Sequence, residues 1–203
     1  RATGVTQKSA WFMLHRIRYA FGHKNFKQTL KNDVQADETY MGGKDSNRHE
    51  SKKMGSKGRS DDKTPVVGLI ETGGRVASTV MPWVTKRNVT EFINENMAKD
   101  AKLITDSNPV YYKIGEKHDH TIINHSLKEY KVGEFHTNSI ENYWSVLKRG
   151  IYGIYHQVSR KHLQQYCNEF AFRFNTRESK DSARFNLYLS SVDKRLTYKE
   201  LIK

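Results

Sequence analysis

The chain has 203 residues, enough for one core with a small appendage, and 35 Lys+Arg against 22 Asp+Glu give it a formal net charge of +13. That excess points to a polyanionic partner, and the absence of a lipidation motif, a signal peptide and a long apolar run argues against a membrane surface as that partner. A single cysteine, Cys167, excludes a disulfide framework and a multi-cysteine zinc site, and it indicates a reducing compartment.

The chain does not begin with Met, and its first residues read as cut from something longer. Thr6 caps a predicted helix running to about Phe21. Ala10, Leu14, Ile17 and Phe21 keep helical spacing, and Lys8, His15, Arg16 and Arg18 load the other sides. Two readings fit: the second helix of a helix-turn-helix, with Arg16 and Arg18 toward DNA, or a basic amphipathic helix packed on the main domain. Residues 1–31 form this basic N-terminal segment.

Val34 to Tyr40 alternates enough for a strand that ends at Met41-Gly42-Gly43. Asp37 and Glu38 are adjacent, so a strand points them to opposite faces and only one can join a shared site. Residues 44–64 hold almost no apolar side chains, and no core could recruit them. They read as a mobile loop, either simply solvated or contacting phosphates through Lys44, Arg48, Lys52, Lys53, Lys57 and Arg59.

Pro65–Glu71 and Arg75–Met81 form a hairpin about the turn Thr72-Gly73-Gly74. A helix follows from Thr85 to about Lys99, buried through Val89, Phe92, Ile93 and Met97. Ala101–Asp106 is a short strand ending on an acid, stopped by Ser107-Asn108-Pro109, and a short helix runs through Tyr111, Tyr112 and Ile114. His118 to His125 fits another strand. His118, His120, His125 and His136 lack supporting cysteines and read as surface or loop residues rather than zinc ligands. Trp83 and Trp144 read as core.

The most regular amphipathic stretch is 136–151. Ile140, Trp144, Leu147 and Ile151 make one core-facing stripe, and Glu141 and Lys148, seven apart, nearly eclipse each other at its edge. Two roles compete for Glu141: a relaxed capping box with Asn138, or a carboxylate held over the neighbouring strands. Asp37 and Asp106 each lie at or near the end of such a strand, and Asp106 also fits a capping role. A long helix spans Ser159 to Arg177, with Cys167 in or near the core, and residues 179–203 form a peripheral helical tail.

The order of the three acids, and the 35 positions from Asp106 to Glu141, resemble the D-D-E set of RNase H-like transposases and integrases. The strings DETYMGGK (37–44), ITDSNPVY (104–111), HTNSIENYWSVLKRGIYGIYH (136–156) and YCNEFAFRFNTR (166–177) are similar to DDE transposases of bacterial insertion sequences, the ISXO2-like group related to eukaryotic Merlin elements. The similarity runs from about Thr6 to Arg177. It implies an α/β, RNase H-like fold over 32–178, a mixed five-stranded sheet flanked by helices, with the N-terminal helix and C-terminal tail outside it. It also implies that Asp37, Asp106 and Glu141 bind two Mg²⁺ or Mn²⁺ ions, with Lys148 on phosphate.

Further DNA contacts are expected from His136, Asn138 and Arg149. The implied activity is cleavage of transposon ends and joining of their 3′-hydroxyls to target double-stranded DNA, by a homodimer on paired ends. The compartment implied is the bacterial cytoplasm, at the nucleoid, or the nucleus in a eukaryote. Two alternatives remain open: an RNase H-like nuclease or resolvase that does not join strands, and a domesticated, non-catalytic DNA-binding protein. Without metal, three converging carboxylates are expected to be poorly ordered or partly protonated.

Overall fold

The computed structural model describes residues 3–42, 49, 63–112, 114, 118–124, 137–192 and 195–203. The expected DNA contacts Lys44, Arg48, Lys52, Lys53, Lys57, Arg59 and His136, and also His125, lie outside the described residues. Helix α1 is Gln7–Ala20, with the Thr6 hydroxyl accepting from the Ser9 amide as its cap. Five strands follow: β1 (Asp33–Met41), β2 (Thr64–Glu71), β3 (Val76–Val80), β4 (Lys102–Asp106) and β5 (His120–Ile123). They form one sheet in the order β3-β2-β1-β4-β5. β1, β2 and β3 are an antiparallel meander, whereas β4 and β5 run parallel to β1. This is the mixed five-stranded sheet that the resemblance implied.

Both faces are covered. Helix α2 (Lys86–Asn96) buries Val89, Phe92 and Ile93 on one face, against Val34, Ala36, Val67, Leu69 and Leu103. Helices α3 (Asn138–Gly150) and α4 (Arg160–Asn175) cover the other face. There Ile140, Tyr143, Trp144, Leu147, Tyr166 and Phe170 meet Met41, Val66, Ile70 and Val76. The expected stripe Ile140, Trp144, Leu147 and Ile151 is buried throughout. Each such side chain contributes roughly 1.5–3 kcal/mol on leaving water. Cys167 is fully buried, and burial pushes its thiol up to about 12. Two glycines permit the close approach of this layer. A Cβ on Gly68 of β2 would meet Trp144 at 2.5 Å, and one on Gly150 would collide with the Phe170 ring.

The exposed edge of β3 is closed by α4 rather than by another strand. Asn175 accepts from the Val76 amide and donates to the Val76 carbonyl, and Gln164 accepts from the Val80 amide and donates to the Ser78 carbonyl. Side-chain amides thus satisfy backbone groups that would otherwise invite pairing with another chain.

Several elements differ from expectation. The face α1 buries is not its apolar stripe: Leu14 and Ile17 are exposed, while His15 and Arg18 are buried against α4. Tertiary pairing outweighs hydrophobicity here, because Glu169 of α4 offers Arg18 a 2.8 Å ion pair. α2 stops at Asn96 because Met97 turns extended and bridges to Leu30. Trp83, expected in the core, is 75% exposed. His118, expected at the surface, is buried and bonded to Asn94. α3 continues into a π-helical turn, Ile151–Tyr155, that its apolar period does not announce. The tail contains α5 (Asp181–Leu189) and α6 (Tyr198–Ile202). Among the described residues no helix is long and apolar enough to cross a membrane.

Candidate active site

The pleat of β1 separates its two acids, as the sequence required. Asp37 lies on the α3 face and Glu38 on the other. The parallel register pairs Ala36 with Thr105, so Asp37 and Asp106 are the next neighbours along β1 and β4. Asp37 also pairs across β2 with Gly68, whose missing side chain lets the Trp144 indole lie over the sheet. Trp144 Nε1 donates to Asp37 Oδ2 at 3.0 Å, and the Glu38 amide donates to Oδ1 at 2.8 Å. Burial, with Glu38 and Asp106 nearby, pushes the Asp37 carboxyl up to about 7.

Glu38 points away from α3 yet still borders the site. Tyr111 donates to its Oε2 at 2.9 Å, and Asn108 donates to its Oε1. Burial and the negative charges of Glu38, Asp37 and Asp106 raise the Tyr111 phenol well above its usual value, holding it as a donor. Asp106 accepts from the Asn108 amide at 3.0 Å, and the cap of the following 3₁₀ turn is Asn108 itself.

Helix α3 is not fixed by a capping box, one of the two roles the sequence left open for Glu141. Its N-cap, Thr137, makes no side-chain cap bond. Instead the buried Gln35 carbonyl, from β1, accepts from the Ser139 and Ile140 amides, each at 3.1 Å. Gln35 and Asp37 are alternate residues of one strand, so the same face that carries the acid also positions the helix. Glu141 is exposed in the first turn, 3.4 Å from the Thr137 hydroxyl, and its carboxylate is not consumed by capping. Lys148 is half-buried, and Asn138 and Arg149 are exposed on the same helix.

The three acids are therefore brought to one region but not into one cluster. Asp37 and Asp106 are neighbours, whereas among the described residues no three His, Cys, Asp or Glu side chains gather closely enough to hold a metal together. Among the described residues no lysine or arginine neutralises Asp37, Asp106 or Glu141. Uncompensated carboxylate oxygens, with no thiolate among them, fit a hard divalent cation such as Mg²⁺ or Mn²⁺.

One other expectation changes. Arg18 is buried between Glu169 and the Tyr166 ring, so it is withdrawn from any phosphate, while Arg16 remains exposed. The roles of Gln35, Glu38, Tyr111 and Trp144 were not visible in the sequence, because each depends on a partner in a distant element. The only local signal was the apolar stripe that placed Trp144 in the core.

No curated protein sequence matches this chain. Among solved structures it is similar to the catalytic core domain of BIV integrase, at 14% identity and TM-score 0.47, covering 79% of this chain and 95% of that one. It is also similar to the HTLV-2 integrase catalytic core domain in complex with magnesium, at 11% identity and TM-score 0.42, covering 80% and 99%. The Mos1 transposase paired-end complex with the left transposon end matches at 10% identity and TM-score 0.28, covering 93% and 64%. The model of the ISXO2-like transposase domain matches residues 29–175, the whole sheet with α2, α3 and α4, and the chain belongs to that transposase family.

Proposed function

We propose that this chain is the catalytic domain of a DNA transposase that cleaves transposon ends and joins their 3′-hydroxyls to target DNA, acting as a dimer on paired ends. The observation that carries this reading is the juxtaposition of Asp37 and Asp106 on adjacent parallel strands, with Asp37 bonded to the helix that bears Glu141. Asp37, Asp106 and Glu141 are the residues that would hold the divalent ions. Two such ions, when bound, would supply activation of the attacking hydroxyl and stabilisation of the leaving oxygen.

The protein's own groups do the rest. Trp144 fixes the direction of the Asp37 carboxylate and shields it from water. Tyr111 and Asn108 hold Glu38 so that it does not swing toward the reacting phosphate. Gln35 locks the start of α3 and leaves the exposed Glu141 side chain free of the helix cap. Lys148 stands roughly 10 Å along the helix from Glu141 and offers a phosphate a point charge. The net charge of +13 supplies the longer-range attraction for DNA.

The test is strand transfer of pre-cleaved element ends in Mg²⁺. Glu141→Ala is expected to abolish joining while binding to the ends persists. Joining by Glu141→Ala would disprove the assignment, and nicks without joined products from the wild type would mark a hydrolytic nuclease instead.

A further inference from the structure

The π-helical turn after α3 is not used by the chemistry above, yet it is built with unusual care. Tyr152 reaches Gly42, just past the end of β1, where its hydroxyl donates to the carbonyl at 3.0 Å and accepts from the amide at 3.3 Å. Tyr155 donates to both oxygens of Glu169, the carboxylate already held by Arg18 and Arg173. Between these two anchors, Gly153 has open space around it and Ile154 is 68% exposed. His156 then turns the chain at φ +58°, a costly conformation for a residue with a Cβ.

A lone exposed isoleucine needs no explanation. One held out between two pinned tyrosines, on a strained turn, does. The neighbouring charge says what it meets. Arg149 is exposed five residues earlier, near the end of α3, and Lys148 precedes it. These cations lie on the α3 axis between the carboxylates and the tip. Ile154 is ten residues beyond Trp144, on the order of 15 Å along the helix axis, or about four base pairs of duplex. An apolar tip flanked by phosphate-binding cations is the arrangement that lets a side chain part stacked bases.

We propose that the Tyr152–Ile154 turn is an apolar wedge that inserts between base pairs of bound duplex DNA and kinks it a few base pairs from the carboxylates. The proposal rests on the DNA-processing reading above and adds the means by which the DNA is bent. Gly153 gives the wedge room to enter, and the two tyrosine anchors keep it from folding back on contact.

The test uses the full chain with two fluorescein-labelled 30-base-pair duplexes of mixed sequence, one intact and one with two consecutive mismatches, each also made with 2-aminopurine. Mismatched bases unstack more easily, so the wild type is expected to bind the mismatched duplex about fivefold more tightly and to raise 2-aminopurine fluorescence. Ile154→Ala is expected to lose both the preference and the fluorescence rise, with Ile154→Leu restoring them. The side chain is exposed, so its truncation opens no cavity. Arg149→Ala is expected to weaken both duplexes alike and to lower the salt slope by about one. Retention of the preference and the fluorescence by Ile154→Ala overturns the wedge. Binding by the wild type without discrimination also overturns it, and leaves the transposase reading intact. A wild type with no DNA affinity overturns both.

Discussion

The Asp37 carboxyl is strongly perturbed, and the cause is legible from its surroundings. Burial dominates, the Glu38 and Asp106 charges add to it, and the bonds from the Glu38 amide and Trp144 offset only part. The folded value, about 7, lies above the unfolded value of 3.8, so the folded metal-free chain holds a proton that the unfolded chain has lost. Stability from this group is therefore full below pH 3.8 and is lost as pH rises toward about 7. In chelator, urea unfolding is expected to show the wild type losing stability from about pH 4 to about pH 7. Asp37→Asn should flatten that slope and gain up to about 4 kcal/mol at pH 8, at about 1.4 kcal/mol per pKa unit. An unchanged slope in Asp37→Asn would assign the effect to another group.

At the scale of elements, the placement of α3 depends on one strand residue. Gln35 is 1% exposed, and its carbonyl receives two amides of a helix more than a hundred residues away. Gln35→Leu keeps the volume but leaves those amides buried and unpaired, which costs about 1–3 kcal/mol. Hydrogen exchange at Ser139 and Ile140 is expected to accelerate in this variant more than exchange in β2, and strand transfer should fall because Glu141 belongs to the loosened turn. Uniform acceleration across the sheet would instead mean that Gln35 serves general packing. Gly68 and Gly150 act at the same scale, since each removes a side chain where a helix touches its neighbour.

For the whole molecule, the question is how α1 joins the layer of α3 and α4. Arg18 and Glu169 form a buried pair, with Arg173 and Tyr155 on the same carboxylate and the Tyr166 ring against the guanidinium. Removing one partner of such a pair strands the other charge, at a cost of about 3–5 kcal/mol. Arg18→Ala is expected to lower the thermal midpoint sharply and leave the salt slope of DNA binding unchanged. A reduced slope with an unaltered midpoint would return Arg18 to the DNA surface. The basic helix is thus held to the fold by one of the charges that made it resemble a free DNA reader.

The sequence by itself determined the strands, the main helices and the amphipathic stripe of α3, because apolar periodicity and turn residues act within a few positions of one another. The order and spacing of Asp37, Asp106 and Glu141 were likewise legible, and with the four local motifs they pointed to the family. Only the tertiary structure decided which side of α1 faces inward, that Gln35 rather than Glu141 caps α3, and that Trp144 grips Asp37. Each of those outcomes is a bond between elements distant in sequence. The competing choices have similar local energies, and the partner that breaks the tie exists only once the sheet has formed.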